Sequence, residues 1–386
     1  MPTLSSLRVM LSANGGICIG SVVIEHNLSI FKVGMPKKLL FYRLRLLLSI
    51  SVIWIVFGIV FFENLIRPGN DLGIDVSLPQ FVVAFGIIGF LITGVLVFFL
   101  KPAFNHHPVW LSSLFKLLIN LFIFILISFL LLFVYFVFMY NGNLEHYINS
   151  VVTKIFQKRT FAVFILDMSL MTLLSISILE VTDKYGPGMF WSTLIGKYHK
   201  PINENRIYIF LDINDSTAIA EELGHEKYFR MLRRFFADVT MSVLANDGEI
   251  YQYVGDEIVI TWPNTAENKL KSLKFIRNAF YLLERNGKKY QKFYGRIPTF
   301  KAGVHAGEVT SGFIGVIKKE LIYSGDTLNT AARICSKCHD LNESYLLSEY
   351  FMQDFSQPHG YKIEPIVQMK LRGHLGVTQL FSMNFE

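Results

Sequence analysis

The sequence predicts two architectures in one chain: an all-α domain of four membrane-spanning helices, then an α+β domain in which helices cover a single sheet. Three observations carry this reading. The 386 residues are 52% hydrophobic, and the mean hydropathy of +0.40 is high for a chain dissolved in water. The excess is concentrated in four long runs in the first half. From about Lys200 onward the composition changes to mixed charge with glycine-containing turns, as in an ordinary soluble domain.

The runs 46–62, 79–100 and 117–144 contain no Asp, Glu, Lys or Arg, and the run 160–179 contains only Asp167. Each is long enough, or nearly so, to cross a hydrocarbon layer of about 30 Å as a helix. Four such runs in half a chain argue against buried helices of a soluble core. The net charge of +7 fits a membrane topology better than binding to nucleic acid. Lys32, Lys37, Lys38, Arg43 and Arg45 precede the first span, and the second loop is expected to hold Lys101 and Lys116. Positive charge stays on the cytosolic side, so the N-terminus, the second loop and the C-terminal domain are expected in the cytosol. The third loop, with Lys154, Lys158 and Arg159, runs against this pattern; the charge ahead of the first span carries the assignment. Residues 1–34 have no signal-peptide plan, and Met35, which leads straight into the first span, is expected to be the natural start. Asp167 lies inside the fourth span, where an ionisable group is either functional or bonded to a neighbouring helix. Asn120 is too far along the third span to be its partner.

Three cysteines, Cys18, Cys335 and Cys338, imply no disulfide framework and no zinc site. Cys335-Ser-Lys-Cys-His339 matches the pattern of c-type haem attachment, but it falls inside an expected helix. A pair of thiols on a helix surface is the expected arrangement.

In the second half, 206–213 reads as a strand, and 216–244 as a helix broken near Gly224-His225. Residues 251–262, YQYVGDEIVITW, read as a hairpin with Gly-Asp-Glu at its turn. A helix follows over 266–286. Strands at 299–304 and 308–314 are expected around a turn at Gly307, with His305 belonging to that turn. A helix over 327–341 and a last hairpin over 367–383, turning at Gly373-His374, complete the order. Tyr185-Gly-Pro-Gly-Met189 should break the fourth helix, and 189–198 is expected to form a short interfacial helix.

Asp212 ends the apolar strand of Ile207 to Leu211, and Asp256 sits at the hairpin turn. Asp215 or Ser216 is explained as a helix N-cap; Asp212, which precedes the cap, is not. Two carboxylates converging from a strand end and a turn would suit a divalent metal such as Mg²⁺ or Mn²⁺. Asn329 and Arg333, four apart, share one helical face, where an amide and a guanidinium can hold a ribose oxygen and a phosphate.

At this point the second half resembles the catalytic domain of class III nucleotidyl cyclases. Phe210-Leu-Asp-Ile-Asn-Asp-Ser-Thr217 resembles the first metal motif and Tyr253-Val-Gly-Asp-Glu257 the second, with Asp212 and Asp256 44 residues apart. Lys301-Ala-Gly-Val-His-Ala-Gly307 resembles the central strand, and Gly325–Arg333 the transition-state motif. The likeness runs from about Asn205 to Phe385 in the expected order, which makes it more specific than any one motif. The four-span half resembles the membrane anchors of some bacterial members in kind only.

The resemblance implies a ferredoxin-like class III cyclase sandwich over 205–386, behind a transmembrane domain at 35–182 and a juxtamembrane linker at 183–204. It implies that Asp212, Asp256 and the backbone carbonyl of Ile213 hold two Mg²⁺ or Mn²⁺ ions. Asn329 would orient the ribose and Arg333 would meet charge on the α-phosphate. Arg372 stands where the family has a phosphate-binding Lys. Sites of this family are shared between protomers, so a homodimer in a bacterial inner membrane is implied, with ATP as substrate. Gln252 and Ile322 occupy the two base-selecting positions and match neither the adenylate nor the guanylate pattern. A Gln amide offers adenine both a donor and an acceptor, so ATP is expected and GTP is the alternative. Two competing classes are a membrane receptor with a degenerate cyclase domain and a small transporter. The presence of all five catalytic residue types argues against the first, and the scarcity of polar residues in the spans against the second.

Overall fold

The computed structural model describes residues 37–63, 77–104, 108–139, 148, 159–185, 195–317, 319–370 and 377–385. The expectations for residues 1–34 and for Met35 lie outside these residues, as does most of the expected interfacial helix. The chain divides into two compact units, Met1–Lys184 and Tyr185–Glu386.

In the first unit, α1 is Lys37–Phe61, and α2 runs from Leu78–Val95 through a π-helical stretch Leu96–Leu100 to a last turn Lys101–Phe104. Helix α3 is Val109–Met139 and α4 is Arg159–Tyr185. All four contain a segment long and apolar enough to cross a membrane. Glycine allows α1 and α2 to touch: a Cβ on Gly89 would stand 2.5 Å from the Cβ of Trp54. The Trp54 indole donates to Ser175 Oγ of α4 at 3.0 Å, as a buried indole N–H requires. Helix α3 starts eight residues earlier than the uncharged run, because length and helix propensity outweigh one lysine. Lys116 is therefore not in the second loop. It lies inside α3, buried, and pairs with Glu180 of α4 at 2.7 Å. Lys101, in the last turn of α2, pairs with Asp183 at 2.6 Å. Charges along apolar helices are retained where they neutralise each other. Asp167 is partly exposed on α4, and Asn120 is fully buried on α3, its amide without a hydrogen bond among the described residues.

The second unit has eight strands among the described residues. They are β1 (Ile202–Ile213), β2 (Glu249–Val254), β3 (Glu257–Pro263), β4 (Phe300–Ile314), β5 (Glu320–Ser324), β6 (Tyr345–Ser348), β7 (Tyr361–Lys370) and β8 (Val377–Phe385). The order is β2-β3-β1-β4-β6-β8-β7, with β5 on β4; only β4 and β6 pair in parallel. Helices α5 (Ser216–Leu223), α6 (His225–Ala245), α7 (Ala266–Arg285), α8 (Gly287–Tyr294), α9 (Asp326–Asp340) and α10 (Glu349–Met352) lie between them. The break at Gly224 falls as expected, between α5 and α6.

Strand β1 is apolar on both faces because both are covered. Ile207, Ile209, Leu211 and Ile213 join Phe235 and Val239 of α6 and Phe275 and Ile276 of α7 in the main core. Tyr208 and Phe210 face the other way, onto Ala331 and Cys335 of α9.

Several expectations are corrected here. Gly307 makes no turn: β4 runs unbroken through it, and His305 is a buried strand residue whose Nδ1 lies 2.7 Å from Ser348 Oγ. Glycine is needed at 307 for close approach, since a Cβ would lie 2.7 Å from Thr327 Oγ1. Cys335 and Cys338 are not on the surface but buried against the sheet, with Cys338 Sγ 3.6 Å from the Ala302 carbonyl. Asp215 does occupy the N-cap position of α5, but in the left-handed region (φ 54) and without a side-chain cap bond. Strands β5 and β6 and helix α8 are short, and the sequence pattern did not single them out.

The tightest contact in this unit is at Gly303, where a Cβ would stand 2.2 Å from the Cys335 backbone nitrogen. Helix α9 rests on β4 nearly backbone to backbone. Gly303→Ala should therefore destabilise the chain by about 2–3 kcal/mol, read as a lower denaturation midpoint. Gly307→Ala should cost less, because the Thr327 side chain can give way where a backbone nitrogen cannot.

Candidate active site

The site begins at the end of β1. The strand is paired on both sides, so its last residues have fixed neighbours. Asp212 stands opposite Glu257 of β3 and opposite Lys301 of β4. Cross-strand partners share a face, so Glu257, Asp212 and Lys301 form a charged row across three strands. The Lys301 ammonium lies 3.1 Å from Asp212 Oδ2. Asp256 enters from the β2–β3 turn, where Gly255 takes φ 63 and so allows the tight reversal; its carboxyl is close enough to Asp212 to share a hydrogen bond.

Electrostatics follow from this crowding. Burial raises the Asp212 pKa above the usual carboxylate range, Lys301 pulls it back, and Asp256 pushes it up again. Burial, then the charges of Asp212 and Asp256, push the Glu257 carboxyl to about 7. Burial alone would lower Lys301, but its bond to Asp212 leaves it raised.

The donor chemistry fits a hard divalent cation: two carboxylates and the Ile213 carbonyl, whose own side chain is buried in the core. Among the described residues no group of three or more His, Cys, Asp or Glu side chains has metal-holding geometry. Sequence reasoning missed Lys301 as a site residue and gave Glu257 no chemistry. Only the strand registers place them beside Asp212.

A β-bulge between Ile250 and Gln252 changes the alternation of β2. It brings Gln252 opposite Val259, whose side chain belongs to the α9 face. Bulges re-aim side chains in this way. Tyr251 stacks edge-on against Tyr323 of β5 at 5.1 Å, so the chain neighbours of Gln252 and Ile322 meet. Ile322 itself pairs with Gly312. Asn329 is exposed on α9. Arg333 Nη1 is buried without a hydrogen bond, 3.7 Å from Asp326 Oδ1. Among the described residues no hydrogen bond or ion pair links Asn329 or Arg333 to Asp212 or Asp256. Arg372 lies outside the described residues. A cavity of about 530 Å³ is lined by His305, Glu308, Asp326 and Lys269, and by none of Asp212, Asp256 and Glu257.

The raised Glu257 pKa has a testable consequence. Folding favours its protonated form, so the stability this gives is complete below the unfolded value near 4.5 and is lost as pH rises toward about 7. Glu257→Gln, which cannot ionise, should match the parent at low pH. Above pH 7 the metal-free variant should be more stable by about 1 kcal/mol after solvent screening, read as a higher melting temperature.

Residues 198–383 match the family model of the adenylate and guanylate cyclase catalytic domain. Adenylate cyclase 2 of Rhizobium meliloti (strain 1021) is 34% identical over 201 residues, covering 51% of this chain and 55% of that protein. Adenylate cyclase 1 of the same organism is 32% identical over 146 residues, covering 36% of this chain and 22% of that protein. The chain thus spans about half the length of the first relative and less of the second. Among solved structures, the adenylyl cyclase CyaB from P. aeruginosa has a TM-score of 0.41 at 17% identity, covering 48% of this chain and 97% of that one. The segment 198–383, with its two carboxylates at a strand end and a hairpin turn, belongs to the class III adenylate and guanylate cyclase catalytic-domain family.

Proposed function

We propose that this chain is a membrane-bound adenylate cyclase that converts ATP to 3′,5′-cyclic AMP and pyrophosphate for intracellular signalling. The carrying observation is the meeting of Asp212 and Asp256 at the end of a doubly paired strand, inside a segment that matches the cyclase domain. In this reading residues 35–182 anchor the chain in a bacterial inner membrane and 183–204 link to a cytosolic catalytic domain at 205–386. The four apolar helices support the anchor, and Lys37, Lys38, Arg43 and Arg45 in the first turns of α1 support the orientation.

Asp212, Asp256 and the Ile213 carbonyl would hold two Mg²⁺ or Mn²⁺ ions. When bound, such ions make the ribose 3′-hydroxyl more acidic and neutralise triphosphate charge. The 3′-hydroxyl gives up its proton to water, its oxygen attacks the α-phosphorus, the bond from that phosphorus to the oxygen bridging to the β-phosphate breaks, and pyrophosphate leaves with that oxygen. Arg333, whose Nη1 has no hydrogen bond among the described residues, donates to charge developing on the α-phosphate. Asn329 orients the ribose, and Arg372 and Lys301 add positive charge for the phosphates. Gln252 presents a donor and an acceptor to the Watson–Crick edge of adenine, and Ile322 packs beside the base. The same neutral amide can face guanine, so GTP is the second reading.

Among the described residues Asn329 and Arg333 make no bond to the two aspartates, which is compatible with a site completed by a second copy. In this reading the chain forms a homodimer with two equivalent sites.

The direct test is turnover of ATP and of GTP by the full chain with Mn²⁺, with the cyclic product identified. ATP should be preferred, and a clear preference for GTP would overturn the substrate assignment. Asp212→Asn and Asp256→Asn should each lower kcat by about a hundredfold or more. Mixed dimers of Asp212→Ala with Arg333→Ala chains should recover part of the activity that each lacks alone. No recovery in co-purified heterodimers would mean the site is not shared.

A further inference from the structure

Strands β2 and β5 carry the two base-facing positions but do not pair with each other. Among the described residues β2 is an edge strand bonded only to β3, and β5 is bonded only to β4. Backbone ladders thus join the two strands only through β3, β1 and β4, and direct contact between them is left to side chains on the sheet face. One side chain reaches all the elements concerned. Arg206, near the start of β1, is 3% exposed. Its Nε donates to Thr261 Oγ1 of β3 at 3.0 Å, and its Nη2 pairs with Glu249 of β2. Its Nη1 lies 3.4 Å from Glu204. The guanidinium carbon sits 5.1 Å above the ring of Tyr323 in β5. Tyr323 in turn meets Tyr208 edge-on at 5.9 Å and Tyr251 at 5.1 Å.

We infer that Arg206 is a positioning residue for nucleotide selection, tying β2 through Glu249 and β5 through the Tyr323 ring. The inference rests on the cyclase reading above. A buried guanidinium suits this role because its planar fork fixes direction in two hydrogen bonds while its face stacks on a ring. Tyr251 and Tyr323 are the chain neighbours of Gln252 and Ile322, so a shift in the ring pair moves both positions. Recognition of a base edge depends on displacements well below 1 Å. Arg206 touches no reacting atom; it acts through the two strands.

The test uses the full chain with Mn²⁺ and initial rates on ATP and on GTP for Arg206→Met, Glu249→Gln and Tyr323→Leu. Each should raise KM for ATP about tenfold, the scale of one charge-assisted contact, while kcat stays within about twofold and the ATP-to-GTP ratio of kcat/KM moves by about fivefold. Tyr323→Phe, which returns the ring, should rescue both values relative to Tyr323→Leu. Glu249 is 54% exposed in its side chain, so its variant keeps the test open if the buried arginine variant does not fold. Unmoved KM and unmoved nucleotide ratio in Glu249→Gln and Tyr323→Leu would overturn the inference. So would a fall in kcat alone, or Tyr323→Phe behaving like Tyr323→Leu. A parent chain that cyclises neither nucleotide would overturn the cyclase reading itself, which separates the two failures.

Discussion

The double pairing of β1, with β3 on one side and β4 on the other, is the constraint on which the rest of the site depends. A strand bonded along both edges and covered on both faces cannot shift by one residue without turning its whole apolar set outward. Its last residue before the loop is held to the same degree. Asp212 is thus carried into a half-buried position where its charge is unfavourable, with Glu257 on one flank and Lys301 on the other. Lys301 offsets one carboxylate of the three, which leaves the group acidic. Such a group is disposed to take up a multivalent cation.

A second constraint sits behind the sheet. Gly303 and Gly307 let α9 approach β4 so closely that Thr327 bonds the Glu308 carbonyl at 2.7 Å and Cys335 packs under the strand. The cysteines are part of this contact, and burial pushes the Cys338 thiol up to about 12. They are therefore inert as nucleophiles. The same contact sets the face of α9 from which Asn329 and Arg333 leave the core. One helix thus has a sheet-facing stripe that is purely packing and an outward stripe that carries the polar pair.

The elements and their order were legible in the sequence because they follow from local periodicity. β1, the β2–β3 hairpin, the break at Gly224 and the span count needed only patterns a few residues long. The errors share one cause. Gly307 was read as a turn because glycine favours turns, yet its missing side chain serves a helix twenty residues downstream. Cys335 and Cys338 were placed on a surface because a helix has no intrinsic inside. Lys116 was placed in a loop because a lysine ends an apolar run, and Glu180, sixty-four residues on, is what keeps it in α3.

By itself, the sequence determined which residues are proposed to carry the chemistry, the aspartates at the strand end and hairpin turn and the Asn-Arg pair four apart on a helix, and it showed the four apolar spans. These depend on residue type and short spacing. Only the tertiary structure decided what surrounds them. The register that sets Lys301 and Glu257 beside Asp212, the bulge that turns Gln252 toward the α9 face, and the reach of Arg206 from β1 to β2 and β5 all join residues remote in the chain. No local pattern encodes them, because they arise when strands with buried faces lock in the one alignment that keeps both faces dry.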